Sequence, residues 1–549
     1  MSLRPEPAPV VPEETARVAR AAFPTPSACM VLRDALGAVY EDAAFAPLFA
    51  ARGRPAEAPW RLALVTVLQF AEGLSDRQAA EAVRARSDWK HALGLDLTDP
   101  GFDFSVLCEF RARLVAGAAE HLLLGALLAA CTARGYLRPR GRQRTDPTHV
   151  LGALRVLNRL ELLAETLRAA LNAVAAVAPD WLRARTPPEW FERYGRRVED
   201  YRLPKGEAPR RAYAEAVGED GRRLLADLFA PDAPPALREL PAVEGLRRTW
   251  VGHYAVEAGA VRLRAPKDMA PTPDQRQSPY EADARYGYKR GSTWRGYKVH
   301  LTESCDDDRP RLLTHAATTP ATAADVEQLA GIQQGLARVG LLPAQQLVDT
   351  GYLRARNLLS SREHHQIDLV GPVFVDHQWQ ALAGTGYDMA HFRVDWDREV
   401  VTCPQGRRSA GWYPTHTPAG QPAIQVAFAP ADCLACPARA QCTRAKGQPR
   451  GLTLQPRAEH EAVQAARQRQ TTAAFRAAYA RRAGIEGTVS QAVRAFGLRR
   501  ARYRGLRKTH LQHVATAAAI NLARLAAWLE CAKPETSRRS HFATLAPAA

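Results

Sequence analysis

The chain has 549 residues, 75 Lys and Arg against 57 Asp and Glu, a formal net charge of +18, and 46% hydrophobic residues. That length exceeds what one compact core serves, so three or four domains are expected, and the hydrophobic share excludes global disorder. The charge is concentrated: 17 basic and five acidic residues fall in 451–549, and seven basic residues with no acid lie between Arg494 and Lys508. A solvated helix face mixes its signs, so this unmixed block points to a polyanion, nucleic acid first. It holds too few large apolar residues for a membrane-surface helix.

Residues 1–15, with Pro5, Pro7, Pro9 and Pro12, read as a disordered tail that lacks the basic and apolar regions of a leader. Residues 16–137 read as a helical N-terminal domain. One apolar run starts near Trp60, and Ser75-Asp-Arg-Gln78 forms a capping box that opens a second helix. A third helix runs through Phe110 and Leu114, and a fourth spans His121–Cys131, too short to cross a bilayer. Arg77 and Arg84 are expected on the exposed face of this domain. It is either a helix-turn-helix-like DNA-binding module or a plain helical bundle.

Residues 138–372 read as the first part of a mixed α/β catalytic core. Pro147 holds Asp146 in extended geometry, at the tip of a short strand, and a helical insert follows over about 150–240. From 294 the period becomes two: Tyr297, Val299 and Leu301 alternate with Lys298, His300 and Thr302, and Leu312–Thr318 returns as a partner strand. A helix over Ala323–Val339, a strand Gln346–Val348 ending on Asp349, a helix Leu353–Leu359 and a strand Ile367–Val370 complete the order. Residues 373–455 read as a β-rich insertion. Residues 456–531 return to helix with Glu486 and the basic tract, and 532–549 read as a tail. The fold class is therefore multidomain α+β, in the element order of an RNase H-like core with a helical insert and a β-rich insertion.

Three acids stand at chemically informative places: Asp146, Asp349 and Glu486. Carboxylates in a basic chain suit divalent metal held against a nucleic-acid backbone, and oxygen donors suit Mg²⁺. Two such ions activate a water and stabilise the leaving oxygen of a phosphodiester. His149 and His300 lie near these acids in sequence and read as structural histidines. Cys403, Cys433, Cys436 and Cys442 build either a tetrahedral zinc site or a group of reduced, partly buried thiols. The other cysteines (Cys29, Cys108, Cys131, Cys305, Cys531) are scattered. Nine cysteines without a secretion signal argue against structural disulfides and for the cytoplasm. Trp379, Trp396 and Trp412 serve either base stacking or core packing.

Glu486 lies in Tyr479-x2-Arg482-x3-Glu486, which resembles the YREK signature of DDE transposases of bacterial insertion sequences. Gly-Leu-Arg-Arg-Ala-Arg-Tyr-Arg-Gly-Leu (497–506), Asp-Ala-Arg-Tyr (283–286) and Gly-Tyr-Lys-Val-His (296–300) are similar to the insertion-sequence eleven-eighty-two subgroup. Leu-Ser-Asp-Arg-Gln-Ala (74–79) and Glu-Phe-Arg-Ala-Arg-Leu (109–114) resemble its N-terminal domain, so the likeness runs from about Trp60 to Leu529. The signature's final Lys would fall at Val493, and Arg494 is the nearest basic residue. The resemblance implies an RNase H-like fold, with Asp146, Asp349 and Glu486 as catalytic residues binding two Mg²⁺, Mn²⁺ being a substitute. It implies cleavage and strand transfer at terminal inverted repeats and target DNA by a homodimer in the bacterial cytoplasm, at the nucleoid, with no membrane partner. Tyr479, Arg482 and Arg494 would contact phosphate, Arg499, Arg500 and Arg502 would clamp DNA, and Arg77 and Arg84 would read the ends.

Three other readings compete. An RNase H-type nuclease would act on RNA, but the large helical N-terminus favours specific duplex DNA. An inactive descendant would bind transposon ends as a repressor. A tyrosine recombinase would use Tyr503 as nucleophile, but its His-x-x-Arg pattern is absent: His510 and His513 are followed at the third position by His513 and Thr516.

Overall fold

A computed structural model describes residues 1–289, 291–374, 378–382 and 384–530. The expected tail 532–549 and Cys531 lie outside the described residues. The chain divides into two compact units. The first holds Met1–Arg138, Asp146–Ala323 and the chain from Ile485; the second holds Pro139–Thr145 and Ala324–Gly484. No helix among the described residues is long and apolar enough to cross a membrane.

In the first unit, residues 1–15 are not the free tail their prolines suggested. Ser2 is buried and its hydroxyl donates to the Gly53 carbonyl at 2.8 Å. Thr15, buried in the helix Glu13–Ala22, donates to the Leu95 carbonyl at 2.8 Å. These side-chain bonds satisfy the Gly53 and Leu95 carbonyls and tie down a proline-rich segment that has few N–H donors of its own. Helices Pro59–Glu72, Asp76–Ala85, Ser105–Ala116 and Leu122–Ala133 follow. Ser75 and Gln78 form the capping box as read, two reciprocal bonds that fix where the second of these helices begins.

The expected separation of this N-terminal domain from the later chain does not hold. The closing helix Leu506–Leu529, five residues longer than Leu511–Leu529 as read, packs against helices Ala28–Leu36, Pro59–Glu72 and Leu122–Ala133 and the strand Leu313–Pro320. Every residue from Leu511 to Leu522 is buried. A helix buried all round carries no polar stripe, so its pattern does not announce its partners.

The helical insert is larger than 150–240. It runs through helices Arg159–Val177, Glu207–Phe229 and Pro241–His253 into a hairpin, Tyr254–Glu257 with Ala260–Leu263. One apolar cluster, including Leu163, Leu167, Trp190, Leu224 and Tyr254, unites helices and hairpin. Beyond it, Arg285–Lys289 pairs antiparallel with Ser292–Gly296, and Tyr297–Glu303 pairs antiparallel with Leu313–Pro320. Alternation is lost where Val299–Ser304 buries both faces.

The second unit carries parallel ladders. Arg142–Thr145 pairs with Gln345–Val348, and Gln345–Leu347 pairs with Asp368–Val370, with helices Asp325–Arg338 and Ala355–His365 between the strands. The same unit holds the β-rich insertion: a hairpin of Arg393–Asp395 with Val400–Thr402, and a sheet of Gly411–His416, Pro422–Ala427 and Gly451–Leu454. Its core is small: Phe392, Val401, Val426, Phe428, Leu452 and Leu454 are the buried members, and Trp396 and Trp412 pack on them, edge to face at 5.6 Å.

Candidate active site and nucleic-acid interface

Asp146 is half-buried in the middle of a ten-residue strand, Arg142–Leu151, rather than at the tip of a short one. The strand has no apolar run because polar groups fill its buried side. Gln143 donates to the Leu341 carbonyl at 2.7 Å, and Gln346 donates to the Thr145 hydroxyl at 2.9 Å. Gln333 in turn donates to Gln346 at 3.0 Å. Buried polar side chains are tolerated where each finds such a partner. The registered ladder ends at Thr145↔Val348, and Pro147, lacking an N–H, cannot extend it. The next residues on the two strands are Asp146 and Asp349.

Asp349 is half-buried at the start of the 3-10 turn Thr350–Tyr352, where Oδ1 accepts the Gly351 N–H at 3.0 Å. A Cβ at Gly351 would stand 3.0 Å from that oxygen and 3.4 Å from Asp325 Oδ2. Asp325, in the first turn of its helix, was not singled out from sequence. Nothing in its local pattern distinguishes it from an ordinary helix-start acid.

Glu486 is exposed in the first turn of helix Gly484–Phe496. Thr488, two residues on, donates to buried Glu303 at 2.6 Å, and Arg524 reaches Glu303 at 2.8 Å and Thr488 at 2.7 Å. Glu303 is fully buried, so this charge-assisted network pins the helix that carries Glu486. On the other side of the signature, buried Arg144 donates to the Arg481 carbonyl. A Cβ at Gly484 would collide with the Arg144 guanidinium, so the guanidinium keeps this place only with glycine at 484. Arg144 and Gly484 each stand two residues before a candidate acid, and the sequence reading missed both.

Tyr479 and Arg482 do not share one continuous α-helix, as their spacing suggested. Helix Ala473–Ala480 gives way to a 3-10 turn, Arg481–Ala483, before the next helix. Tyr479 stacks on Phe475 at 5.6 Å and 12°, and both Tyr479 and Arg482 are half-buried. Arg494 is exposed in the last turn of helix Gly484–Phe496.

The basic tract is a strap across the first unit rather than a loose arm. Leu151 exchanges backbone bonds with Arg499 and Ala501 at 2.8 and 2.9 Å, and Arg499 donates to Thr148 at 3.1 Å. Arg502 lies over Phe70 at 4.8 Å, and Arg507 pairs with Glu120 at 3.3 Å. Arg494, Arg500, Arg502, Arg504, Arg507 and Lys508 nonetheless keep exposed side chains. Arg77 and Arg84 are exposed on helix Asp76–Ala85; Arg77 stacks on Phe104 at 4.3 Å, and Arg84 donates to the Pro100 carbonyl at 3.2 Å.

His149 packs on Trp294 at 5.5 Å, and burial, with Arg499 and Lys289 nearby, lowers its pKa. His300 is buried against Thr319 at 3.2 Å. Tyr503 faces the Arg111 guanidinium at 5.7 Å, and burial raises its phenol pKa, the opposite of what a nucleophile needs. Four free thiols, Cys403, Cys433, Cys436 and Cys442, line one cavity in the β-rich insertion. Among the described residues, no three His, Cys, Asp or Glu side chains are grouped so as to hold a metal ion.

Two family models match the chain. Residues 402–526 match the Transposase DDE domain, a stretch that includes Tyr479, Arg482, Glu486 and the basic strap. Residues 24–113 match the Transposase domain (DUF772), which includes Arg77 and Arg84. No curated protein and no solved structure matches the chain. Together the two matches indicate a transposase of the DDE type.

Proposed function

We propose that the protein cuts DNA at the ends of its insertion sequence and joins them to a target, using Asp146, Asp349 and Glu486. The observation that carries this reading is the parallel ladder. Its last registered pair, Thr145 and Val348, is followed on each strand by a candidate acid. Arg144, bound to the Arg481 carbonyl, ties the chain before Asp146 to the chain before Glu486. The element order, with two parallel ladders and intervening helices, supports an RNase H-like core. Three carboxylates offer the hard oxygen donors that Mg²⁺ takes, Mn²⁺ being a substitute. Such ions, when bound, supply Lewis-acid stabilisation of the phosphoryl oxygens and a lowered pKa for water.

The chain's own part is to position. In the first step water forms a new P–O bond at the scissile phosphate and the P–O3′ bond breaks, leaving a 3′-hydroxyl and a 5′-phosphate. In the second, that 3′-hydroxyl attacks a target phosphate and one P–O bond replaces another, with no net hydrolysis. Arg482, Tyr479 and Arg494 hold flanking phosphates beside the acids, and the strap residues Arg499, Arg500 and Arg502 add charge that lowers the cost of approach. Arg77 and Arg84 present donors for end recognition. Two copies, one per end, would act together.

Strand cleavage of a labelled terminal-repeat duplex in Mg²⁺ tests the proposal. Asp146→Asn, Asp349→Asn and Glu486→Gln should each lower the rate by roughly 10³-fold or more while binding persists. Wild-type protein that binds the duplex and never cuts it would instead favour the repressor reading.

A further inference from the structure

Among the described residues, the apolar cluster of the β-rich insertion has only six buried members, few for some eighty residues of chain, and small cores of this kind need a further constraint. The cavity at its heart, about 30 Å³, is lined by Cys403, Cys433, Cys436 and Cys442. Thiols from three separate places in the chain line it. Cys403 opens the turn Cys403-Pro404-Gln405-Gly406, closed by the Gly406 N–H on the Cys403 carbonyl at 2.9 Å, with Gly406 at φ +77°. Cys433 and Cys436 flank the end of helix Pro430–Leu434, and Cys442 ends helix Arg439–Cys442.

The charges around the cavity match a thiolate cluster. Arg407, Arg439 and Arg450 line it with one acid, Asp432, so two positive charges are left over. A divalent ion with four thiolates carries two negative charges. Arg439 donates to the Cys433 carbonyl at 3.1 Å and thereby fixes the loop that carries two of the thiols. Among the described residues, the buried Arg450 Nε finds no hydrogen-bond partner, a lack that a neighbouring thiolate sulfur would relieve.

We infer that Cys403, Cys433, Cys436 and Cys442 bind one structural Zn²⁺ that completes the insertion's core. Among the described residues the four sulfurs are not grouped so as to hold a metal ion, so Zn–S bonds of about 2.3 Å require them to come closer together than they stand. The inference does not depend on the catalytic reading, since structural zinc in this insertion neither needs nor supplies the three acids.

The test is metal content of the full-length protein purified without chelator, followed by exchange with Co²⁺. The expected results are roughly 1 zinc ion per chain and an intense thiolate-to-cobalt charge-transfer band of a tetrahedral site. The Cys433→Ser/Cys436→Ser variant should lose both, and Cys108→Ser, which belongs to the first unit and does not line the cavity, should keep both. If the double variant fails to fold, the cobalt spectrum of the wild-type chain decides alone. Protein that lacks zinc and gives no charge-transfer band, or zinc retained in full by the double variant, overturns the inference.

Discussion

At the scale of single residues, the acids differ in how openly the sequence declares them. Asp349 ends a short apolar strand and was placed within one residue. Asp146 sits in a strand whose buried positions are Gln143, Arg144 and Thr145, so hydrophobic periodicity has nothing to register there. Gly484 is the test of that hidden arrangement. Gly484→Ala should push the Arg144 guanidinium off the Arg481 carbonyl, costing roughly 1–3 kcal/mol, seen as a lower Tm and slower cleavage. The effect should be non-additive with Arg144→Ala, because both changes break one contact. Additive losses in the double variant would show that Gly484 acts through something else.

At the scale of elements, the strap 499–507 changes how the basic residues should be tested. Its unmixed charge was plain in the sequence, but its anchoring was not, because the partners Leu151, Phe70 and Glu120 lie hundreds of residues away. Arg500 is exposed, so Arg500→Ala should lower the log–log salt slope of DNA binding by about 0.9 and leave Tm unchanged. Arg502→Ala should lower the slope similarly and also lower Tm, because its guanidinium packs on Phe70. Equal Tm values for the two variants would contradict the strap. On helix Asp76–Ala85, Arg77→Ala and Arg84→Ala should reduce discrimination between terminal-repeat and random DNA more than total affinity. An unchanged ratio would move end recognition to another element. The capping box at Ser75 was readable because its signal is local. The full extent of the closing helix was not, because long-range packing buries all its sides.

At the scale of the whole molecule, the first unit stores histidines that burial keeps neutral. His513, hydrogen-bonded to Thr318 at 2.7 Å, is pushed down to about 3 by burial and by His510. His253 is pushed down to about 4 by burial and Arg159. With folded values below the ordinary 6.5, these side chains contribute stability above pH 6.5. That contribution is lost as pH falls towards 4 and 3, because the unfolded chain takes up protons first. Every tenfold loss of proton affinity on folding is worth about 1.4 kcal/mol, so Tm should fall steeply below pH 6.5. His513→Gln should flatten that fall, and an unaltered profile would place the acid sensitivity elsewhere. The central claim, that Asp146, Asp349 and Glu486 serve one metal centre, is tested most directly by iron-mediated self-cleavage. Fe²⁺ with ascorbate and peroxide generates radicals that cut polypeptide next to the bound ion. Backbone cuts near 146, 349 and 486 together are expected, suppressed by excess Mg²⁺ and lost in Asp349→Asn. Cuts near one of the three alone, or at none, would contradict it.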